Sequence, residues 1–255
     1  MFLIFVALSF ACSKVNEEVG LVVTAPPEYT VDVFEQRNPA DGVPTLGLWI
    51  ESVEKYACAG YHIDAQIAVQ NGSIVVTIPG VSAPSPCVGD SARAKLFLPI
   101  GNLANGTYEF IFSLRDVIVN KGTLDVSNGH YMLSLPDAKG IVIENFILES
   151  MPDGITWGYA ATPDEASQPV ADDFIADLKT LTAENGLAPG FYSYFTISGT
   201  GNITFHKRIA PTGSAKQFVR RLTAAPDELK SILQSYRNAA QQPLDIKCWT
   251  TGGEL

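Results

Sequence analysis

The chain has 255 residues, enough for two modest domains or one large one. Only 17% are charged, 46% are hydrophobic, and Gly, Ser, Thr and Asn are plentiful, which excludes a disordered chain and suits a turn-rich β protein. A formal net charge of -10 repels phosphate backbones and argues against nucleic-acid binding. The densest basic group, Lys207-Arg208 with Arg220-Arg221, reads as two exposed strand ends.

From Met1 to Ala11 the chain is almost wholly apolar, and it turns polar after Cys12, from Ser13 to Glu18. About 20 helical residues are needed to cross a bilayer, so this run is too short and reads as the h-region of a signal peptide, residues 1–11. Leu8-Ser9-Phe10-Ala11-Cys12 resembles a bacterial lipobox, although the family prefers Leu where Ser9 stands. The resemblance implies that Cys12 is acylated and becomes the mature N-terminus, fixing the protein to a membrane through palmitate-type chains. Ser9 and Ala11 also satisfy the small-x-small rule of an ordinary secretory site, which would release a soluble protein.

Residues 12–45 read as the lipidated cysteine, a tether and an extended lead-in, interrupted by Pro26-Pro27, Pro39, Asp41-Gly42 and Pro44. Only Thr30 to Phe34 alternates as a strand. Residues 46–150 are predicted to be a β-sandwich domain. Ile63, Ala65, Ile67 and Val69 alternate toward Asn71-Gly72, and Ile74, Val76 and Ile78 alternate back; Asn128-Gly129 joins a second such pair. Further short strands are predicted at 95–100, 107–114, 117–119 and 141–143. Leu103 to Phe110 resembles the tyrosine-corner entry of immunoglobulin-like domains, which implies that Tyr108 locks a corner through its hydroxyl.

Residues 151–255 change character. A strand at 155–160 precedes a helix carrying Val170, Phe174, Leu178 and Leu181, started by Thr162-Pro163-Asp164-Glu165. A hairpin spans 191–208, a strand follows at 216–222, Pro226-Asp227-Glu228 opens a second helix with Leu229, Ile232, Leu233, Tyr236 and Ala240 on one face, and a strand closes at 244–250. This order predicts a small α+β domain of split β-α-β, ferredoxin-like plan, with both helices on one face of an antiparallel sheet.

With Cys12 lipidated, Cys58, Cys87 and Cys248 remain. An oxidising envelope and a shared β context favour a Cys58–Cys87 disulfide, leaving Cys248 as a buried thiol. No Cys-x-x-Cys pair occurs, and His62, His130 and His206 lie far apart, so no metal site and no cofactor are expected. Gly-x-Ser-x-Gly, Ser-x-x-Lys, His-Glu-x-x-His and a Gly-rich phosphate loop are all missing, so no catalytic residue is assigned. Asp172-Asp173 sits near a predicted helix start, where negative charge favours the dipole.

The binding signal is aromatic. Trp157, Tyr159, Phe191, Tyr192, Tyr194, Phe195 and Trp249 fall on predicted strands, and alternation sets Tyr192 and Tyr194 opposite Phe191 and Phe195 as a candidate face for a glycan, a peptide or a partner protein. The alternative is that these rings are core. Lipobox, disulfide-bearing sandwich and C-terminal α+β unit together resemble the two-domain envelope lipoproteins of Bacteroidota. That resemblance implies a non-enzymatic protein of the bacterial cell envelope, anchored at the outer membrane. The alternative is a secreted or periplasmic hydrolase whose site is assembled from distant residues.

Overall fold

The computed structural model describes residues 25–37, 42–162, 164–206, 209–211, 214–238 and 244–255. Cys12 and the lipobox lie outside the described residues. Strands dominate. The first ten are β1 (Tyr29–Arg37), β2 (Pro44–Tyr56), β3 (His62–Gln70), β4 (Ser73–Ser82), β5 (Ala92–Pro99), β6 (Gly106–Leu114), β7 (Ile118–Ser127), β8 (His130–Ser134), β9 (Ile141–Val142) and β10 (Ile147–Glu149). They form two sheets, β5-β2-β1-β9 and β10-β8-β7-β6-β4-β3.

Both predicted Asn-Gly turns are present. Asn71 and Gly72 have φ of 50° and 77°, Asn128 and Gly129 have 49° and 83°, and this pair of left-handed residues lets two strands meet across two residues without splaying. Alternation then sends Val31, Val33, Leu48, Ile50, Ile74, Val76, Phe110, Phe112 and Leu124 into one core between the two sheets. The Tyr108 hydroxyl donates to the Ala104 carbonyl at 2.9 Å, the corner lock expected of it.

One expectation for this half is corrected. Residues 29–37 are no lead-in: β1 is an interior strand, paired over nine positions with β2 and in parallel with β9 at Tyr29 and Thr30. The proline and glycine punctuation around it concealed the strand's length, because Pro44 stands at the first position of β2, where no ladder donor is lost from the interior.

The remaining elements are β11 (Ile155–Ala161), a 3₁₀ turn at Glu165–Ser167, α1 (Gln168–Thr180), β12 (Thr182–Glu184), β13 (Gly190–Phe191), β14 (Phe195–Ile197), β15 (Ile203–Phe205), β16 (Ala215–Leu222), α2 (Pro226–Arg237), β17 (Asp245–Thr250) and β18 (Gly253–Glu254). Asp164 accepts the Ser167 amide at 2.9 Å and starts the helical segment. The sheet β12-β16-β11-β17-β18 has its centre at β11, buried at every position. One face, with Ala160, Phe218, Ile246 and Cys248, meets Phe174, Leu178, Leu229 and Leu233 of the two helices. A β-carbon at Gly158 would stand 2.1 Å from the Lys247 carbonyl oxygen and 2.7 Å from the Phe218 ring, so only glycine allows this close approach.

The other face, with Ile155, Trp157, Tyr159 and Val219, is covered by the chain's own hairpin. The hairpin does not join the large sheet as the split β-α-β order suggested; β13-β14-β15 is a separate three-stranded sheet laid across it. Phe195, Ile197 and Phe205 pack down onto Trp157 and its neighbours, which satisfies the apolar side that the helices cannot reach. Among the described residues, no helix is long and apolar enough to cross a membrane.

Cys58 and Cys87 are joined in a disulfide across 29 residues, tying the β2–β3 turn to the β4–β5 loop. Cys248 is a free, buried thiol, and burial pushes its pKa up to about 11. Two outcomes follow for differential alkylation and unfolding titrations. Cys248 should resist iodoacetamide at about pH 8 until denaturant is added, because the thiolate scarcely forms. Replacing Cys58 and Cys87 together by Ser should lower the unfolding free energy by about 3.5 kcal/mol, the loop-closure value for roughly 30 residues. Alkylation of native Cys248 at the rate of a free peptide would contradict its placement.

Candidate functional site

The second half meets the first on the outer side of β1. Strand alternation places Val31 and Val33 in the sandwich core and puts Asp32, Phe34 and Gln36 on the opposite side, beside Trp49 of β2. The Phe34 ring lies 6.0 Å from those of Trp49 and Phe97 and meets the Tyr194 ring edge-on at 5.2 Å. Tyr194 in turn stacks on Trp157 at 5.1 Å, so an aromatic chain runs from β2 to the centre of the second half.

A tight turn aims the hairpin at β1. Ser193 has φ of 63°, and the Tyr194 amide donates to the Tyr192 carbonyl at 2.6 Å, the one-residue reversal of a γ-turn. The Ser193 hydroxyl accepts the Glu35 amide hydrogen at 2.8 Å in a buried contact, so a strained residue fixes the hairpin to the strand. Phe34, Gln36, Trp49, Ser193, Tyr194, His206 and Ile209 surround a cavity of about 170 Å³. This is below the range for drug-sized ligands and has room for one ring or one side chain.

At the rim lies a polar cluster. Asp32, only 3% exposed, accepts the Asn145 amide at 2.8 Å and the Asn145 side-chain amide at 3.3 Å. His206 Nε2 lies 3.9 Å from Asp32 Oδ2, and the imidazole packs 6.0 Å from the Phe191 ring. Asp32, Glu144 and His206 together offer three ligand atoms within 4.8 Å of one another. Two carboxylates and an imidazole are a donor set suited to a divalent transition ion. Sequence spacing gave no sign of this grouping, because strand β1, a loop and the hairpin end supply one residue each. The one available signal was Asp32 itself, a charge inside the run Val31-Asp32-Val33-Phe34 whose neighbours alternate toward the core.

The predicted tyrosine face takes a different form. Tyr192 and Tyr194 lie in the turn between β13 and β14, outside the strands, and the alternation argument fails at Ser193. Tyr192 is 4% exposed, packs on Phe195 at 5.6 Å and donates its hydroxyl to the Ala188 carbonyl at 2.9 Å; it is core, with its polar end satisfied internally. Tyr194 is half-buried and lines the cavity. Asp172 is held by Lys216 at 2.9 Å on the helix-covered side, away from the cavity.

Comparison with family models, curated proteins and solved structures finds no match to this chain.

The burial of Tyr192 sets its mutational cost. Tyr192→Ala should lower the unfolding free energy by about 3–5 kcal/mol, as other large-to-small changes in packed interiors do. Tyr192→Phe keeps the ring and should lose only about 1 kcal/mol, the net value of one hydrogen bond. Urea titrations followed by tryptophan fluorescence check both, and near-equal stability of wild type and Tyr192→Ala would mean that the ring is not core.

Proposed function

We propose that the protein is a non-enzymatic cell-envelope lipoprotein, anchored in the outer membrane through Cys12, that binds one group of a glycan or peptide in the cleft between β1 and the hairpin. The cleft carries the binding part of this reading. It is walled by Phe34, Trp49 and Tyr194, with Gln36 and His206 as polar groups at its edge, and a sugar ring or an apolar side chain matches its size and its mixture of flat apolar walls and few polar contacts. Anchoring rests on the cysteine placed at the end of the apolar run. Two or more acyl chains make such attachment effectively permanent, since one alone binds marginally.

The Tyr108 corner bond and the two facing sheets support an immunoglobulin-like sandwich for residues 46–150, extended by β1. Two helices on one face of the sheet centred on β11 support an α+β unit for residues 151–255.

A second reading, a hydrolase with a site assembled from distant residues, is favoured by one observation. Asp32 and Glu144 converge on His206 beside the cleft, as an acid–base centre would require. Against it, the Ser193 hydroxyl already accepts a backbone amide, and its exposure is that of a core residue.

A glycan and peptide array probed with the purified protein tests the binding reading. Hits should quench tryptophan fluorescence, and Trp49→Ala should weaken them at least about tenfold, the loss of one central aromatic contact. Binding that is indifferent to Trp49→Ala would remove the cleft from the proposal; the hydrolase reading predicts cleaved array ligands that survive intact with His206→Ala. Metabolic labelling with an alkyne palmitate tests the anchor. Wild type should be labelled and Cys12→Ala should not, and equal labelling of both would end the lipoprotein assignment.

A further inference from the structure

The polar cluster at the rim of the cleft draws on three separate parts of the fold. Asp32 comes from the outer side of β1, Glu144 from the loop between β9 and β10, and His206 directly follows β15 at the end of the hairpin. Asp32 Oδ2 and His206 Nε2 stand 3.9 Å apart, beyond the reach of a hydrogen bond. Both side chains are nearly dry, that of Asp32 at 5% exposure and that of His206 at 11%. Glu144 is exposed and completes the group, with all three ligand atoms within 4.8 Å of one another.

We propose that Asp32, Glu144 and His206 bind one divalent transition ion of the zinc class, which clasps the hairpin of the second half to β1 and to the β9–β10 loop. Distances carry the assignment. Zinc holds an imidazole nitrogen at about 2.0–2.1 Å and a carboxylate oxygen at about 2.0–2.2 Å, so one of each on the same ion stand at most about 4.3 Å apart. The two buried groups already satisfy that limit. The third is an exposed glutamate, whose flexible side chain takes up the remaining distance. Charge agrees, because two carboxylates and a neutral imidazole together carry the two negative charges that a divalent ion cancels. An imidazole among the ligands favours zinc and its neighbours over calcium and magnesium, which take oxygen ligands.

The surroundings hold the ligands as the outer shell of a metal centre does. The Asn145 backbone amide donates to Asp32 Oδ1 at 2.8 Å and its side-chain amide to Oδ2 at 3.3 Å, which sets the orientation of the carboxylate. Asn145 follows Glu144 in the chain, so the loop that orients one ligand also delivers another. His206 is held through its backbone. Its amide donates to the Tyr194 carbonyl at 2.8 Å, and its own carbonyl accepts the Ile209 and Ala210 amides at 2.9 and 3.0 Å. Sequence spacing excluded a metal site because it sees only neighbours along the chain, and here β1, a loop and the hairpin end each contribute one ligand.

Calorimetric titration of the whole protein with Zn²⁺, with Ca²⁺ and Mg²⁺ run alongside, tests the site. One equivalent of Zn²⁺ should bind. Glu144→Gln, at an exposed position, should weaken binding by more than the roughly tenfold that loss of an outer-shell partner costs. His130→Ala, which breaks the more exposed His130–Glu149 pair, should leave binding unchanged. The three histidines of the chain give a reading in the wild type that depends on no variant. In nitrogen-15 spectra one equivalent of Zn²⁺ should shift the His206 imidazole and leave His62 and His130 in place. Zn²⁺ should also slow hydrogen exchange at the Glu35 amide, whose bond to Ser193 Oγ joins β1 to the hairpin, in proportion to the excess of Zn²⁺ over its Kd. Failure to bind Zn²⁺, a preference for Ca²⁺ or Mg²⁺, equal affinity in Glu144→Gln, or a shift of His62 or His130 in place of His206 would each overturn the site. Unchanged exchange at Glu35 in the Zn²⁺-bound protein would overturn the clasp.

Discussion

Strand β1 is packed on both of its faces, and most of the architecture depends on that constraint. Val31 and Val33 complete the sandwich core on one side. On the other, Asp32 and Phe34 are equally buried, because the hairpin of the second half lies against them. A strand with one wet face needs only one partner layer. A strand with two dry faces needs its outer layer as well, so the hairpin is a structural element of the first half as much as of the second; Phe191 of β13 indeed belongs to the sandwich core.

The same arrangement explains why polar groups are buried where the two halves meet. Asp32 takes two bonds from Asn145, and Glu35 takes one from Ser150. Each would be costly to bury alone. Their partners come from loops and hold those segments at fixed positions along β1. Apolar rings fill the space between the halves, and the polar pairs fix their relative register.

Local chemistry in the sequence was enough to locate both Asn-Gly hairpins and several other strands of the sandwich, both helices and the disulfide, but not β2, β10 or the full length of β1. Asn71-Gly72 and Asn128-Gly129 admit few other conformations, and the helical faces of 168–180 and 226–237 repeat clearly. What sequence reading missed is nonlocal. The β4–β6 pair is parallel and joins strands separated by a whole excursion to the other sheet, which no alternation pattern encodes. The hairpin reads as one more pair of sheet strands until its tertiary position on Trp157 and Phe34 is known. Within it, a single serine with positive φ reverses the tyrosines and moves Tyr192 from a supposed binding face into the core. Asp32, Glu144 and His206 come from three distant segments, so their spacing in the chain carries no signature.

The hairpin's position also constrains the order in which a chain threaded from its N-terminus can finish folding. The edge of β1 finds β2 within a few residues, but its outer face waits for residues some 158 positions later, as in the bond from Glu35 to Ser193. During that interval Phe34, Trp49 and Phe97 form an uncovered aromatic surface on an otherwise complete sheet. Long-range closure of this kind is slow, and exposed apolar sheet surface invites association with other chains. Delivery of the C-terminal third is therefore the step at which the N-terminal sheet ceases to be adhesive, and any process that halts the chain between β10 and β13 leaves the first half assembled with an uncovered aromatic face.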